Sequence, residues 1–292
     1  MRVFVTGATG FIGSAVVKEL ISAGHQALGL TRSDEGAKAL ADAGAQAHRG
    51  DLEDLESLRS GAAACDAVVH TAFRHDWSRF AESCELDKRA IEAIGSVLQG
   101  SSRPFVVSSG VGVAQGRAAT EDDPPLSSPS SPRVSEVTAV ALVEREVSAS
   151  VMRLPQVHDT VKQGLVTYLI AIAREKGVSA YVGDGLNRWP AAHVADVAHL
   201  YRLALEKGTA GARYHAVVEE GVPLKDIATA IGSGLNVPVT SISQEQAQEH
   251  FGFLGFFAGR DAHISSARTR LELGWTPTGP TLLTDLANMR FV

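Results

Sequence analysis

Cysteine is nearly absent from this sequence, since Cys65 and Cys84 are the only two in 292 residues. Two cysteines are too few for a disulfide framework or for a cysteine-rich metal site. The ten histidines are dispersed, and none lies in a His-Glu-x-x-His arrangement. We therefore expect reduced thiols, a cytoplasmic protein and no metal centre.

An excess of positive charge and a long apolar run are also missing. Lysine and arginine number 27 against 33 acidic residues, so the net charge of −6 gives no support to a nucleic-acid partner or an anionic membrane. No apolar stretch approaches the roughly 20 residues that a membrane span needs. The opening residues MRVFVTGA lack the layout of a secretory signal and are typical of a first strand.

Strand-like and helical segments alternate through the first half of the chain. Predicted strands lie at 3–6, 27–30, 45–48, 67–71, 104–108 and 150–154, and predicted helices at 11–23, 34–43, 55–63, 78–98 and 135–147. Strict alternation of this kind predicts an α/β fold with a doubly wound parallel sheet, that is, a Rossmann fold.

The alternation weakens after Pro155, where we expect helices at 165–175 and 194–205 and a strand near 213–218. The pattern predicts a Rossmann domain of residues 1–155 plus about 189–216. A smaller C-terminal substrate lobe would comprise about 156–188 and 217–292. Residues 110–133 are rich in Gly, Pro and Ser and predict a long loop, which in a compact domain is usually mobile or functional.

A glycine motif, TGATGFIG, joins the first strand to the first helix. Gly7 suits the tight turn, Gly10 lets the backbone approach a pyrophosphate, and Gly13 lets the helix pack close to the strand. The free N–H groups of the helix N-terminus attract phosphate. The motif therefore predicts a dinucleotide site, whose contacting residues would be Gly7, Thr9, Gly10, Phe11, Ile12 and Gly13.

The end of the second strand bears on which dinucleotide binds. NAD sites usually place an acid there, whereas arginine suits the extra phosphate of NADP. Here Thr31, Arg32 and Ser33 occupy that corner. NADP is favoured over NAD, although Arg32 could instead lie on a solvated turn.

Further motifs follow in order along the chain, and together they resemble the extended and atypical short-chain dehydrogenase/reductases, a group that includes the nucleotide-sugar epimerases and dehydratases. The segments are GDLED, VVHTAF, VVSSG, VMRLPQV, PAAHVADVAHLY and LGWTPT. The resemblance implies adenine contacts from Asp51 and Leu52, and ribose and pyrophosphate contacts from Thr71, Ala72 and Phe73. It also implies a catalytic hydroxyl at Ser108 or Ser109 and a nicotinamide contact at Pro155.

One departure from that family affects the mechanism. The family's proton donor is a Tyr followed four residues later by a Lys, and none of the four tyrosines here has that Lys. Counting back from MRLP, the pair should fall near Pro132–Arg133 and Glu136–Val137. Both the acid and its helper are missing.

Replacement groups can be named, each with a simpler alternative. Ser109 could hydrogen-bond a substrate carbonyl or cap the following loop, with Ser108 a backbone or cofactor contact. His158 could donate the proton in place of Tyr, or be a loop histidine. Four further residues are candidate substrate contacts: His75, Asp76, Arg188 and Trp189. Trp189 could equally be a hydrophobic anchor beneath the lobe.

We expect an NADP-dependent oxidoreductase that acts on a small carbonyl-like substrate with a non-standard proton donor. Two alternatives remain: a non-catalytic NADP-binding regulatory protein, and an epimerase or dehydratase of sugar nucleotides. The family resemblance further implies a homodimer through the fourth and fifth helices.

Overall fold

The computed structural model describes residues 1–125 and 133–291. The strands are β1 (Arg2–Thr6), β2 (Gln26–Thr31), β3 (Gln46–Arg49), β4 (Ala67–His70), β5 (Ser101–Gly110), β6 (Val147–Leu154), β7 (Gln156–His158), β8 (Ser179–Val182), β9 (Arg188–His193), β10 (Arg213–His215), β11 (Glu219–Pro223) and β12 (Val239–Ile242). The helices are α1 (Phe11–Ser22), α2 (Asp34–Asp42), α3 (Leu55–Ala63), α4 (Phe80–Leu98), α5 (Ser135–Val143), α6 (Val166–Lys176), α7 (Val194–Lys207), α8 (Leu224–Leu235), α9 (Gln244–Phe251), α10 (Gly255–Ala258), α11 (Ala267–Leu273) and α12 (Leu282–Asn288).

Seven parallel strands form the central sheet in the order β10-β6-β5-β4-β1-β2-β3. Its central strands are buried on both faces, because helices cover each side. On β1, Val3 and Val5 join a core with α1 and α7, while Phe4 points to the opposite core with α3, α4 and α5. The predicted doubly wound parallel sheet is confirmed.

The first five predicted helices are present, and two of their ends differ from the prediction by more than one residue. A 3₁₀ turn at Trp77–Arg79 precedes α4, which begins at Phe80. Helix α5 ends at Val143 rather than at residue 147. Glu146 adopts a left-handed φ of 59°, so the chain reverses there and enters β6 at Val147.

The later part of the chain contains more strand than its sequence pattern predicts. Strands β11, β9 and β7 form a three-stranded sheet, and β12 pairs with β8. Helix α7 and strand β10 return to the central sheet, whereas residues 188–193 lie in the three-stranded sheet. A separate core from α6, α8 and their neighbours underlies this lobe. Within the described ranges, no helix combines the length and the apolar character needed to cross a membrane.

Candidate active site

The glycine loop after β1 leaves no room for side chains at two of its positions. Gly7 has a φ of +67°, and a Cβ there would lie 2.7 Å from the Ala72 nitrogen. A Cβ on Gly13 would lie 2.0 Å from the Gly7 carbonyl oxygen, so α1 packs directly on the loop. The Gly10 N–H closes the turn on the Gly7 oxygen at 2.8 Å.

The N-terminus of α1 fits a phosphate group. Gly10 is its N-cap, no side chain caps the helix, and its first turn holds no acid. Thr9 and Gly10 are exposed, while Phe11 and Ile12 are half-buried against the neighbouring core. Free N–H groups and the positive end of the helix dipole thus lie at an open backbone surface. These residues fit the pyrophosphate of a dinucleotide, which is the role predicted for them.

The corner at the end of β2 contains one exposed cation and two hydroxyls that are hydrogen-bonded to the backbone. Arg32 is 81% exposed, with its Nε 3.5 Å from a carboxylate oxygen of Asp51. The Ser33 hydroxyl accepts a hydrogen bond from the Gly36 N–H and caps α2, and the buried Thr31 hydroxyl donates to the Ser33 carbonyl. Arg32 and Ser33 are both exposed, and Arg32 is the one of the three residues that carries a charge.

Asp51 and Leu52 lie beside this corner. The Asp51 carboxylate also accepts a hydrogen bond from the Glu53 N–H at 2.9 Å, and Leu52 packs against the core that contains α3 and α4. The predicted adenine contacts therefore share one edge of the sheet with Arg32.

The end of β4 is tied to the glycine loop by hydroxyl groups. The Thr71 hydroxyl donates to the Thr6 carbonyl at 2.8 Å, and the Ala72 N–H donates to the Thr6 hydroxyl at 3.3 Å. Phe73 follows and is half-buried. These contacts bring the two predicted cofactor segments to the same sheet edge.

The two serines at the end of β5 differ in their surroundings. The Ser108 hydroxyl lies 2.5 Å from the His70 carbonyl oxygen and 2.6 Å from the Tyr201 hydroxyl, so it is part of the interior. Burial raises the pKa of Tyr201, which makes that phenol a poor acid. Ser109 is 6% exposed, and its hydroxyl has no partner among the residues that the structure describes. It is therefore available to a ligand.

Arg133 is held at the same sheet edge by three contacts. Its guanidinium lies 4.6 Å above the centre of the Phe73 ring, its Nη2 donates to the Ser108 carbonyl at 3.4 Å, and its Nε donates to the Ser135 hydroxyl at 3.1 Å. Ser135 in turn donates to the buried carboxylate of Asp87. A fixed positive charge thus lies beside the ends of β4 and β5.

Comparison with known proteins identifies the family. Residues 3–218 match the model of the NAD dependent epimerase/dehydratase family. The chain belongs to this family. The uncharacterized protein C2A9.02 of Schizosaccharomyces pombe is 50% identical over 99% of both chains. A 4-hydroxy-2-methyl-3-oxo-4-farnesyl-3,4-dihydroquinoline-1-oxide ketoreductase of Stigmatella aurantiaca is 26% identical over 94% of this chain and 92% of its own. A dTDP-glucose 4,6-dehydratase of Streptomyces venezuelae, solved with NAD bound, superposes with a TM-score of 0.77 at 21% identity, covering 99% and 96% of the two chains.

Membership of the epimerase/dehydratase family supports an enzyme with NAD(P)-dependent redox or epimerase activity.

Counting along the sequence places the missing Tyr–Lys pair near Arg133 and Glu136, and the two residues have different environments. Arg133 is half-buried beside Phe73 at the ends of β4 and β5. Glu136 is 2% exposed and forms ion pairs with Arg153 and Arg213. Pro132 lies outside the described residues.

His158 lies in the interior of this family member. Its ring is 0% exposed, and its Nδ1 is 2.7 Å from a carboxylate oxygen of Asp285 on α12. Its Nε2 lies 3.7 Å from Glu219 and makes no hydrogen bond within the described ranges. This arrangement joins α12 to β7 and leaves His158 no open face toward a substrate. Pro155, which precedes β7, is half-buried.

Arg188 and Trp189 also have structural partners. Arg188 forms a two-pronged ion pair with Asp261, with N···O distances of 2.9 and 2.7 Å. Trp189 is buried in the lobe core and donates from its indole to the Phe257 carbonyl. This placement agrees with an anchoring role for Trp189 beneath the lobe.

His75 and Asp76 follow Phe73 in the segment after β4, and the His75 ring lies 5.2 Å from the Phe73 ring. Asp76 accepts hydrogen bonds from the Ser78 hydroxyl and N–H, so it caps the 3₁₀ turn. His75 remains accessible to solvent. Even so, desolvation by the surrounding protein, followed by the charge of Arg133, lowers the pKa of His75 below its usual value. The described residues contain no group of three or more His, Cys, Asp or Glu placed to hold a metal ion.

Proposed function

We propose that this protein is an NADPH-dependent reductase that converts a carbonyl compound to an alcohol, with Arg133 and Ser109 contacting the carbonyl oxygen. The observation that carries the proposal is the placement of the Arg133 guanidinium over Phe73, bonded to the Ser108 carbonyl. The name of the Stigmatella aurantiaca relative, a ketoreductase, supports this choice of reaction class. The preference for NADPH is supported by the exposed Arg32 at the end of β2.

The cofactor, when bound, supplies a hydride, which carries both electrons needed to reduce the carbonyl carbon. The free hydroxyl of Ser109 donates a hydrogen bond to the carbonyl oxygen. As the carbon–oxygen double bond becomes single, negative charge develops on that oxygen, and the Arg133 guanidinium stabilises it. A proton from water then completes the alcohol.

Arginine in place of a phenol has a consequence for the pH dependence. A guanidinium stays protonated up to a pH of about 12, so its charge is constant between pH 6.5 and 9. It stabilises the oxyanion without giving up a proton. The lowered pKa of His75 means that this ring is neutral at pH 7, so the fixed charge beside Phe73 is that of Arg133.

The experiment follows NADPH oxidation with a panel of aliphatic and aromatic aldehydes and ketones. For a substrate that is turned over, Arg133→Met should lower kcat/KM by about 100-fold or more, because a fixed charge at the developing oxyanion is lost. Arg133→Lys should recover part of the rate. The rate of the native chain should be flat from pH 6.5 to 9.

Arg74→Met is the matched control. Arg74 directly follows Phe73 but pairs with Glu53 at 3.0 Å, so its replacement should leave kcat/KM within about threefold. Equal losses in the two variants would contradict the role of Arg133. Tight NADPH binding with no oxidation by any carbonyl compound would contradict the reductase and favour a non-catalytic NADP-binding regulatory protein.

A further inference from the structure

A group of aromatic side chains joins the segment after β4 to the small lobe. The Trp77 indole stacks on Phe80, with centroids 5.3 Å apart, and on Phe253, with centroids 4.4 Å apart and planes at 17°. Tyr168 of α6 meets both Trp77 and Phe253 edge-on, at 6.1 and 5.3 Å. We call Trp77, Phe80, Tyr168 and Phe253 the aromatic cluster.

Three of the four members of the aromatic cluster lie outside the hydrophobic cores, whereas Tyr168 packs against the core of the small lobe. Trp77 and Phe80 are only half-buried, and Phe253 is 37% exposed. Within the described part of the chain, Trp77, Phe80 and Phe253 belong to none of the four hydrophobic cores. Large rings that stack at a surface between two lobes are typical of a binding face.

Trp77 also carries an unsatisfied donor. Its indole nitrogen is shielded from solvent and makes no hydrogen bond to any described residue. Buried tryptophan N–H groups normally find an acceptor. An oxygen on a bound molecule would supply one here.

Phe73 connects the aromatic cluster to the proposed catalytic charge. Its ring centre lies 5.9 Å from that of Phe80, and the Arg133 guanidinium lies 4.6 Å from its centre. A molecule whose flat apolar part lies against the cluster can therefore place an oxygen toward Arg133.

Three arginines of the segment after β4 and of the small lobe already form ion pairs. Arg74 pairs with Glu53, Arg79 with Glu82, and Arg188 with Asp261. Lys162, by contrast, lies 5.9 Å from the Phe11 ring, beside the glycine loop, where a cation suits the cofactor phosphates. The rim thus offers aromatic surface rather than the free cations that a nucleoside diphosphate needs.

We propose that the aromatic cluster is the substrate-binding face and that the substrate is a planar, apolar carbonyl compound of aromatic-ring size. The proposal rests on the reductase function above, which gives Arg133 its role at the carbonyl oxygen. The flat part of the substrate lies against the exposed surface of the stack that Trp77 and Phe253 form, because these two rings already touch, with centroids 4.4 Å apart. Trp77 then determines specificity, while Arg133 acts on the carbonyl oxygen.

The experiment compares 2-naphthaldehyde with butanal as substrates for NADPH oxidation. The native chain should show a kcat/KM at least 100-fold higher for 2-naphthaldehyde. Trp77→Ala should reduce that ratio at least tenfold, and Trp77→Phe should keep it within threefold, because the phenyl ring still stacks. Binding of NADPH should be unchanged in both variants.

Phe256→Ala is the control, because Phe256 is also 37% exposed but contacts Phe257 and Arg260 outside the cluster. It should leave the ratio unchanged. An equal ratio in the native chain and in Trp77→Ala would overturn the inference while the reductase function stands.

If neither aldehyde is reduced, the reductase function fails, and binding decides the inference separately. Calorimetry would then measure 2-acetylnaphthalene binding to the protein with NADP⁺. Saturable binding that weakens at least tenfold in Trp77→Ala, but not in Phe256→Ala, would support the aromatic cluster as a binding face. No saturable binding, or equal binding in the two variants, would overturn it.

Discussion

The proposed preference for NADPH rests on a single residue at the end of β2. Arg32 is the exposed cation of that corner, while the hydroxyls of Ser33 and Thr31 are hydrogen-bonded to the backbone. The Asp51 carboxylate 3.5 Å from Arg32 holds the guanidinium weakly, since exposed ion pairs contribute little. A 2′-phosphate could displace Asp51 and take a two-pronged contact with Arg32.

Arg32→Ala should therefore weaken NADPH binding by about tenfold or more, or about 1.4 kcal/mol, and leave NADH binding within about threefold. Titrations that follow nicotinamide fluorescence measure both affinities. Lys38→Ala removes the same charge from an exposed pair on α2 and should change neither. Equal affinity of the native chain for the two nucleotides would refute this reading of the corner.

At the scale of elements, two glycines of the β1–loop–α1 unit have different roles: one is required for packing and the other for ligand binding. Gly13 lies at the helix–loop contact, where a Cβ would be 2.0 Å from the Gly7 oxygen. Gly10 has an extended backbone with φ −80°, and its Cβ would be 3.1 Å from the same oxygen. A side chain at position 13 would therefore disturb the packing of α1 on the loop. A side chain at position 10 would instead obstruct a ligand that approaches the backbone.

Gly13→Ala should lower the free energy of unfolding by about 1–3 kcal/mol, as overpacking does, and lose NADPH binding with it. Gly10→Ala should unfold within about 1 kcal/mol of the native chain yet bind NADPH at least about tenfold more weakly, because its methyl group occupies phosphate space. Urea unfolding and NADPH titration distinguish the two. If Gly10→Ala binds NADPH normally, the pyrophosphate does not lie at this turn.

At the scale of the whole molecule, a series of hydrogen bonds between buried polar side chains runs from Thr6, below the glycine loop, to Arg133. The Thr6 hydroxyl lies 2.8 Å from Nδ1 of His70, and Nε2 of His70 lies 3.0 Å from Asp87. Asp87 then accepts from Ser135, which holds Arg133. Burial by itself would raise the pKa of Asp87, but the hydrogen bond and charge of His70, with Arg133 and Ser135, bring it below its usual value.

Because the folded pKa of Asp87 is lowered, its charged form stabilises the fold at pH values above the unfolded pKa of about 4. That stability is lost as the pH falls below about 4 and passes through the folded pKa. Asp87→Asn should therefore cost about 1–3 kcal/mol at pH 7 and pH 5, with the difference from the native chain shrinking below pH 4. Urea unfolding at each pH measures it.

Asp42→Asn provides the comparison, because Asp42 is 64% exposed and pairs with Lys38 at the surface. It should change the free energy of unfolding by less than about 0.5 kcal/mol at every pH. A cost for Asp87→Asn that is the same at pH 3.5 and pH 7 would contradict the stabilising role of its charge.

Periodicity and motif spacing alone determined the Rossmann half of this protein. Alternating strands and helices admit few packings, and a strand–glycine turn–helix unit is a local structure, so β1 to β6 and the glycine loop follow from neighbouring residues. The motifs also predicted the family, and residues 3–218 match its model.

Only the tertiary structure decided which side chains meet at the ends of β4 and β5. His158 and Trp189 are residue types that often occur in binding sites, but here both are buried. His158 is hydrogen-bonded to Asp285 and Trp189 to the Phe257 carbonyl, each partner more than 60 positions away. Arg133 has no motif of its own, and only the meeting of β4, β5 and α5 places it over Phe73. Trp77 and Phe253 stack from segments far apart in the chain. Contacts between distant segments depend on how the layers pack, which no local pattern encodes.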